Sequence, residues 1–410
     1  MKNSSPNKLA LTRRNFLKTS ATGVTLTTAL SYSNVVGAND RIRLGAIGTG
    51  GRCRSLMQTA KPQPEVEFVA VCDVYEPRIE DALVIAPQAK PYRDYRALLD
   101  DKNVDAVIIG SPDHWHAKMT TDAVGAGKDV YCEKPVTHSL EEGASLIKVV
   151  EASQRVVQTG TQQRSWEHYL LGKQLVDSGQ LGQITSVRAW WYQNYNTRKA
   201  PKPLDYPKFD QKAWLGSAPA QEVTGLKYYT WRWFWDFGGG ALTDLMSHWI
   251  DVVHWYTGSA TPSSALASGH SYVLKEWDCP DSLTCVLDYP KNFSVTYHGQ
   301  MASSIDDGGL EMRGTKATMK LDRSILTLHP EGGEAGSKYG EIQPSIVIRS
   351  RADGTIAHLR NWLDCIKSRQ TPNANIRVAV ECARAAHLGN LALRQERKVK
   401  WNAQAERVEG

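Results

Sequence analysis

At 410 residues, with 41% hydrophobic and 22% charged content, the chain has the make-up of a globular protein of two domains, not of a disordered or fibrous one. The formal charge of +6 comes almost wholly from five basic residues among the first 38, a stretch with no acid; the rest is near neutral, which argues against a nucleic-acid partner. Seven cysteines, an odd number spread widely, are not a disulfide framework: Cys72 and Cys132 sit in apolar runs as core thiols, and only Cys279 and Cys285 are close enough in sequence to pair.

Residues 1–38 read as an export signal. Arg13-Arg14-Asn15-Phe16-Leu17-Lys18 is a twin-arginine motif, a Thr- and Ala-rich apolar stretch follows to Val36, and Val36-Gly37-Ala38 offers small residues for cleavage. The stretch is too short and too polar for a stable membrane anchor. The expected partner is the twin-arginine translocation machinery, and the expected location periplasmic or otherwise exported. That route carries folded proteins, so a cofactor can be loaded beforehand.

Residues 39–162 read as a dinucleotide-binding domain. Ile42–Ile47 is a strand, Gly48-Thr49-Gly50-Gly51-Arg52-Cys53 a glycine-rich turn opening a helix, and Glu67–Cys72 a second strand ending at Asp73. Gly48 permits the tight turn and Gly50 lets a pyrophosphate approach a helix N-terminus. The third glycine of the usual fingerprint is Cys53, a departure. Asp73, 25 positions after Gly48, suits a ribose hydroxyl and favours NAD over NADP, although Arg52 and Arg78 leave room for NADP. Strands at Val104–Gly110 and Asp129–Cys132 lead into the Ser111-Pro112-Asp113-His114-Trp115-His116 loop and the Glu133-Lys134-Pro135 turn. In an open α/β sheet both face the ligand crevice, so Ser111, Pro112, His114, His116, Glu133, Lys134 and Gln162 are expected at the cofactor. The Lys134 ammonium can also polarise a substrate oxygen.

Residues 163–355 read as a substrate and oligomerisation domain. Thr185–Tyr192 alternates as a strand, a Pro- and Lys-rich loop runs from Asn196 to Lys208, and Tyr228–Phe237 is the most aromatic segment of the chain. Flat aromatic faces beside polar groups suit a sugar ring, which makes Trp231, Arg232, Trp235 and Asp236, with Arg164, candidate substrate contacts; each Trp taken alone fits core packing equally well. Gly238-Gly239-Gly240 then opens a helix at about Ala241 on which Asp244 and His248, four apart, share a face. The imidazole can take a proton near neutral pH, and the aspartate can orient the ring or hold a neighbouring hydroxyl. Strands at Ser282–Tyr289, Phe293–Gly299, Leu310–Arg313, Thr318–Leu321 and Ile325–His329 complete an antiparallel sheet, and Glu331–Lys338 reads as a flexible loop. Residues 356–410 read as helices packing back on the first domain. His270, His298, His329, His358 and His387 read as structural, and no metal-ligand spacing occurs in the sequence.

Gly48-Thr49-Gly50, the 111–116 loop, Glu133-Lys134-Pro135, Gln158–Arg164, Asp244-xxx-His248 and the tail around His387–Asn390 together resemble the Gfo/Idh/MocA oxidoreductases, over the whole chain after the signal. The resemblance implies a Rossmann domain, a C-terminal α/β domain with an open, mainly antiparallel sheet used for homo-oligomerisation, and bound NAD. It implies His248 as general base on the reacting hydroxyl of a sugar, glycoside or polyol, with Lys134 on the same oxygen and Asp244 assisting. Some relatives with similar export signals are redox-neutral glycosidases working through a 3-keto sugar, and that is the alternative. A non-catalytic sugar-binding protein of the same fold is a further one.

Overall fold

The computed structural model describes residues 41–197, 201–331 and 343–409. The expected export signal, and the Glu331–Lys338 loop apart from Glu331, lie outside the described residues. In the first domain, β1 (Ile42–Ile47), α1 (Gly51–Ala60), β2 (Val66–Cys72), α2 (Glu76–Ile85), β3 (Lys90–Tyr92), α3 (Tyr95–Asp100), β4 (Ala106–Ile109), α4 (His116–Gly125), β5 (Asp129–Cys132), α5 (Glu142–Ser153) and β6 (Val157–Thr159) alternate along the chain. The strands form an all-parallel sheet of order β3-β2-β1-β4-β5-β6. All four residues of β4 and of β5 are buried, as expected for strands covered on both faces.

The second domain contains α6 (Glu167–Asp177), β7 (Ile184–Tyr192), the short helices α7 (Gln211–Leu215) and α8 (Gly225–Tyr229), and α9 (Ser247–Thr257). Its further strands are β8 (Ser264–His270), β9 (Ser282–Tyr289), β10 (Phe293–Gln300), β11 (Gly308–Gly314), β12 (Ala317–Leu321), β13 (Ile325–Pro330) and β14 (Ile346–Arg349). After α10 (Gly354–Ser368) and α11 (Ile376–Gln395), β15 (Val399–Asn402) and β16 (Arg407–Glu409) extend the same sheet, giving the order β14-β13-β12-β11-β7-β10-β9-β8-β15-β16. Only β7 and β10 pair in parallel. Along β9 and β10 buried residues alternate with more exposed ones, the pattern of a sheet with one face on the core. Among the described residues no helix is long and apolar enough to cross a membrane, and all seven cysteines are free and buried, Cys279 and Cys285 included.

The last two helices cover the first sheet from opposite sides. Leu359, Trp362 and Leu363 of α10 join Leu44, Leu56, Met57 and Ile108 in one apolar cluster; Ile376, Ala379 and Val380 of α11 join Leu98, Val107, Ile109 and Val130 in the other. Beyond the first-domain contacts expected from sequence, α11 also lies on the second sheet. A Cβ at Gly389 would come within 3.0 Å of Cys285 Sγ and of Leu242 Cδ1.

The departure at Cys53 has a steric answer. Cys53 is fully buried, and the glycine that lets α1 approach the sheet stands opposite it: a Cβ at Gly110 would meet Cys53 Cβ at 2.7 Å and its Cα at 3.2 Å. Gly110→Ala is therefore expected to cost about 1–3 kcal/mol in urea unfolding. Gly125→Ala, where an added methyl meets nothing within 4 Å, should stay within about 1 kcal/mol of the parent.

Candidate active site

The site is built at the carboxyl ends of the parallel strands. Gly48, at φ +71°, makes the turn out of β1; a Cβ there would lie 2.5 Å from the Ser111 amide nitrogen. Gly50 caps α1 in extended backbone, without a side-chain cap and with no acid in the first turn. Nothing stands within 4 Å of the Cβ positions of Gly50 and Gly51. The helix thus presents free backbone N–H groups to an open, basic cleft of about 400 Å³ whose wall includes Arg52, Asp73, Arg78, Ser111 and Pro112. This geometry suits a dinucleotide pyrophosphate, and Asp73 stands where the fold would place a ribose. The Asp73 carboxylate is aimed by the Tyr75 N–H at 2.9 Å and the Thr49 hydroxyl at 3.4 Å. Burial raises its pKa to about 6 against these bonds and Arg78.

A second cavity of about 210 Å³ adjoins the first, sharing Arg52, Ser111, Trp231 and Arg232 as walls. Lys134 from the first domain and His248 from the second both line it, together with Asp113, Gln162 and Arg323. Lys134 Nζ donates to the Asp244 carboxylate at 2.7 Å and to the Asp244 carbonyl at 2.6 Å. Arg232 Nε reaches the same carboxylate oxygen at 3.1 Å. Burial alone would raise the Asp244 carboxyl, but Lys134 and Arg232 outweigh it and hold the pKa down at about 2.

Gly240 and Ala241 are already helical, as expected, but Leu242–Met246 is a π-helical turn, and regular α-helix resumes at Ser247. No hydrogen bond joins Asp244 to His248; each side chain has its own partner. Asp244 serves the lysine; the imidazole is held by Gln163, whose Oε1 is 3.2 Å from Nδ1. An amide oxygen only accepts, so Nδ1 carries the ring proton and Nε2 is left as the acceptor. Burial, then the charges of Lys134, Arg323 and Arg52, push the His248 pKa well below the ordinary imidazole value, and the ring is neutral at pH 7. The three glycines before the π turn are places of close approach: a Cβ at Gly238 would meet the Arg232 backbone at 2.8 Å, at Gly239 Thr243 and Asn390, and at Gly240 (φ +62°) Cys279.

Arg164, Trp235, Asp236, His114 and Thr49 lie outside the two cavities, while His116 and Glu133 line the smaller one. Arg164 does not face the cavity: its Nε grips both Asp251 carboxylate oxygens at 2.8 and 2.9 Å, tying the Gln162–Ser165 turn to the helix that carries His248. Trp235 lies under Arg394 and Asp236 accepts from Gln221, and neither lines the two cavities; of the aromatic segment, Trp231 and Arg232 do. The His114 Nε2 donates to the Trp214 carbonyl, away from the crevice, and His116 bridges the carbonyls of Pro135 and Ser111, joining the two ligand-facing loops. Thr49 is fully buried beneath the cradle, its hydroxyl donating to the Arg78 carbonyl. Glu133 is buried against Arg52 at 2.7 Å. Two residues inside the quoted motifs, Asp113 and Gln163, were not singled out from sequence, and Arg323 had no signal there. Among the described residues no cluster of three metal-binding side chains occurs.

The description "Oxidoreductase family, NAD-binding Rossmann fold" matches residues 42–161, and "GFO/IDH/MocA C-terminal domain" matches residues 169–320. An uncharacterized oxidoreductase of Bacillus subtilis, YrbE, is 32% identical over 293 residues, 70% of this chain and 75% of its own. The chain belongs to the Gfo/Idh/MocA family. Inositol 2-dehydrogenase of Salmonella typhimurium is 36% identical over 166 residues, which cover 39% of this chain and 46% of that protein, so the match spans less than half of that relative. A levoglucosan dehydrogenase solved with NADH and levoglucosan shares the fold, with a TM-score of 0.69 at 19% identity over 88% of this chain and 99% of that one. As in the family description, the first domain is an NAD-binding Rossmann fold.

If the Asp73 carboxylate meets the ribose, NAD binding should depend on pH. Below about pH 6 it takes a proton and loses the charge that strengthens its hydrogen bonds to ribose hydroxyls. NAD affinity, followed by tryptophan fluorescence, should fall as the pH drops through that value, and Asp73→Asn should flatten the profile.

Proposed function

We propose that this chain oxidises a secondary hydroxyl of a sugar, glycoside or polyol, using NAD that stays bound. The observation that carries the reading is that Lys134 and His248, from different domains, line one cavity adjoining the dinucleotide cleft. The names of its relatives, inositol and levoglucosan dehydrogenases among them, support the substrate class. Bound NAD supplies the hydride acceptor. His248 Nε2 takes the hydroxyl proton, being neutral at pH 7. Lys134 Nζ donates to the same oxygen and stabilises the alkoxide as it forms. Asp244 aims the ammonium, Gln163 fixes the tautomer of the base, and Trp231 offers a flat wall to a ring. Asp73 favours NAD over NADP because it repels a 2′-phosphate. The twin-arginine motif supports export of the folded holoprotein, and copies pair through the second sheet, whose outer face leaves Thr284 and Thr296 exposed.

Denaturing the purified chain should release NAD in stoichiometric amount, and one member of a panel of hexoses, methyl glycosides and inositols should reduce the bound cofactor. Lys134→Met should lower that rate by about 10²–10³-fold with NAD content unchanged. The wild-type rate should be flat through neutral pH and fall only well below pH 6.5, since a base with a depressed pKa is protonated late. An acid limb at or above 6.5, or a fully active Lys134→Met, contradicts the assignment.

A redox-neutral glycosidase is the second reading, and Asp113 favours it. This carboxyl is 3% exposed and accepts no hydrogen bond among the described residues. Burial raises its pKa well above the usual range, against the pull of Lys134. It therefore holds a proton in the substrate cavity and can deliver it to a departing glycosidic oxygen. Aryl glycosides incubated without added NAD would then release their aglycone with no net cofactor change. Asp113→Asn would stop that release while leaving oxidation of the glycoside measurable.

A further inference from the structure

We propose that the substrate carries a carboxylate and that Arg323 receives it, so the cavity is selective for a sugar acid such as a uronoside. The inference rests on the reading of this cavity as a sugar site.

Arg323 sits in the turn between β12 and β13, and that turn is fixed at several points. The Asp322 carboxylate accepts from the Ser324 N–H at 2.6 Å, the Ser324 hydroxyl at 2.7 Å and the Ile325 N–H at 2.8 Å. The Asp322 carbonyl accepts from His168 Nε2 at 2.9 Å. From this base the side chain reaches the cavity, where its guanidinium carbon lies 4.5 Å from the centroid of the Trp191 ring. Trp191 is also the ring neighbour of His248, at 5.5 Å. The unpaired cation therefore stands beside the base.

Apart from the face of the Trp191 ring, its charge has no local answer. Arg52 is paired with Glu133 at 2.7 Å, and Lys134 and Arg232 share Asp244. Arg323 has no carboxylate within ion-pair distance among the described residues, and its buried Nε has no hydrogen-bond partner; Asp307 and Asp353 act on it only through space. A half-buried guanidinium without a counter-charge is costly, and it stays charged at any working pH. The geometry that relieves that cost is an anion arriving with the substrate. The dinucleotide phosphates are poor candidates, because Arg323 lines only the smaller cavity, while the free N–H groups of α1 face the larger one. A substrate phosphate would call for several donors or a helix N-terminus; a single fork-shaped guanidinium matches one planar carboxylate.

The test is equilibrium binding to the NAD-loaded full chain, read by tryptophan fluorescence or calorimetry. The probes are methyl glucuronoside and methyl galacturonoside, their neutral methyl hexosides, and the corresponding hexose 6-phosphates. At least one uronoside should bind about tenfold or more tightly than its neutral parent, the worth of a charge-assisted hydrogen bond. Added salt should shrink the preference, Arg323→Gln should remove it, and Arg323→Lys should keep part of it. The wild-type preference and its salt dependence need no variant, so a misfolded substitution does not shield the idea. Equal binding of acids and neutral parents, tighter binding of the phosphates, or a preference that survives Arg323→Gln overturns it. Cofactor reduction is followed separately. An Arg323-dependent preference without oxidation sinks the dehydrogenase reading and keeps this one; oxidation of neutral sugars with no acid preference does the reverse.

Discussion

The site depends on one ion pair that spans the domain boundary. Lys134 stands at the end of β5 and Asp244 in the π turn of the other domain; their side chains are 11% and 14% exposed, with the charges 2.7 Å apart. Neither charge is tolerable alone at that depth, and removing one partner of a buried pair costs about 3–5 kcal/mol. The pair does more than join two halves. By spending its carboxylate on Lys134 and Arg232, Asp244 leaves His248 without an acidic neighbour, and the imidazole stays neutral among cations. A neutral imidazole and an ammonium can then face the same small volume.

Much of this was legible in the sequence because it rests on local rules. The glycine turn after an apolar strand, the acid at the end of the next strand, and the Glu-Lys-Pro turn are each set by a few neighbouring residues. Period-two alternation marked β7, β9 and β10 because one face of the second sheet is buried. Strand β8 was missed: its outer half is open, so its pattern carries little contrast. Strands β15 and β16 were missed because a four-residue and a three-residue segment gain their identity only from pairing with a distant edge.

The roles of individual residues were harder to read, for a common reason. A spacing of four says which side chains share a face, not which partner each one takes: Asp244 pairs with Lys134, 110 positions away, and His248 with Gln163. Arg164 looked like a ligand contact because it follows a polar motif; its partner, Asp251, lies 87 positions away. Arg323 looked like any surface residue of a tight turn. What distinguishes it, the missing counter-charge, is a property of everything around it.

The placement of α10 and α11 bears on how the protein can be made. The parallel sheet begins at Ile42, and its own helices cover much of both apolar faces, yet each face is completed by side chains from residue 359 onward. While the chain emerges from the ribosome, the nucleotide-binding half must wait with a gap in each apolar face until nearly all of the polypeptide has been synthesised. Cutting the chain between the two domains would therefore not yield two independent folding units. The half that starts first is the one finished last.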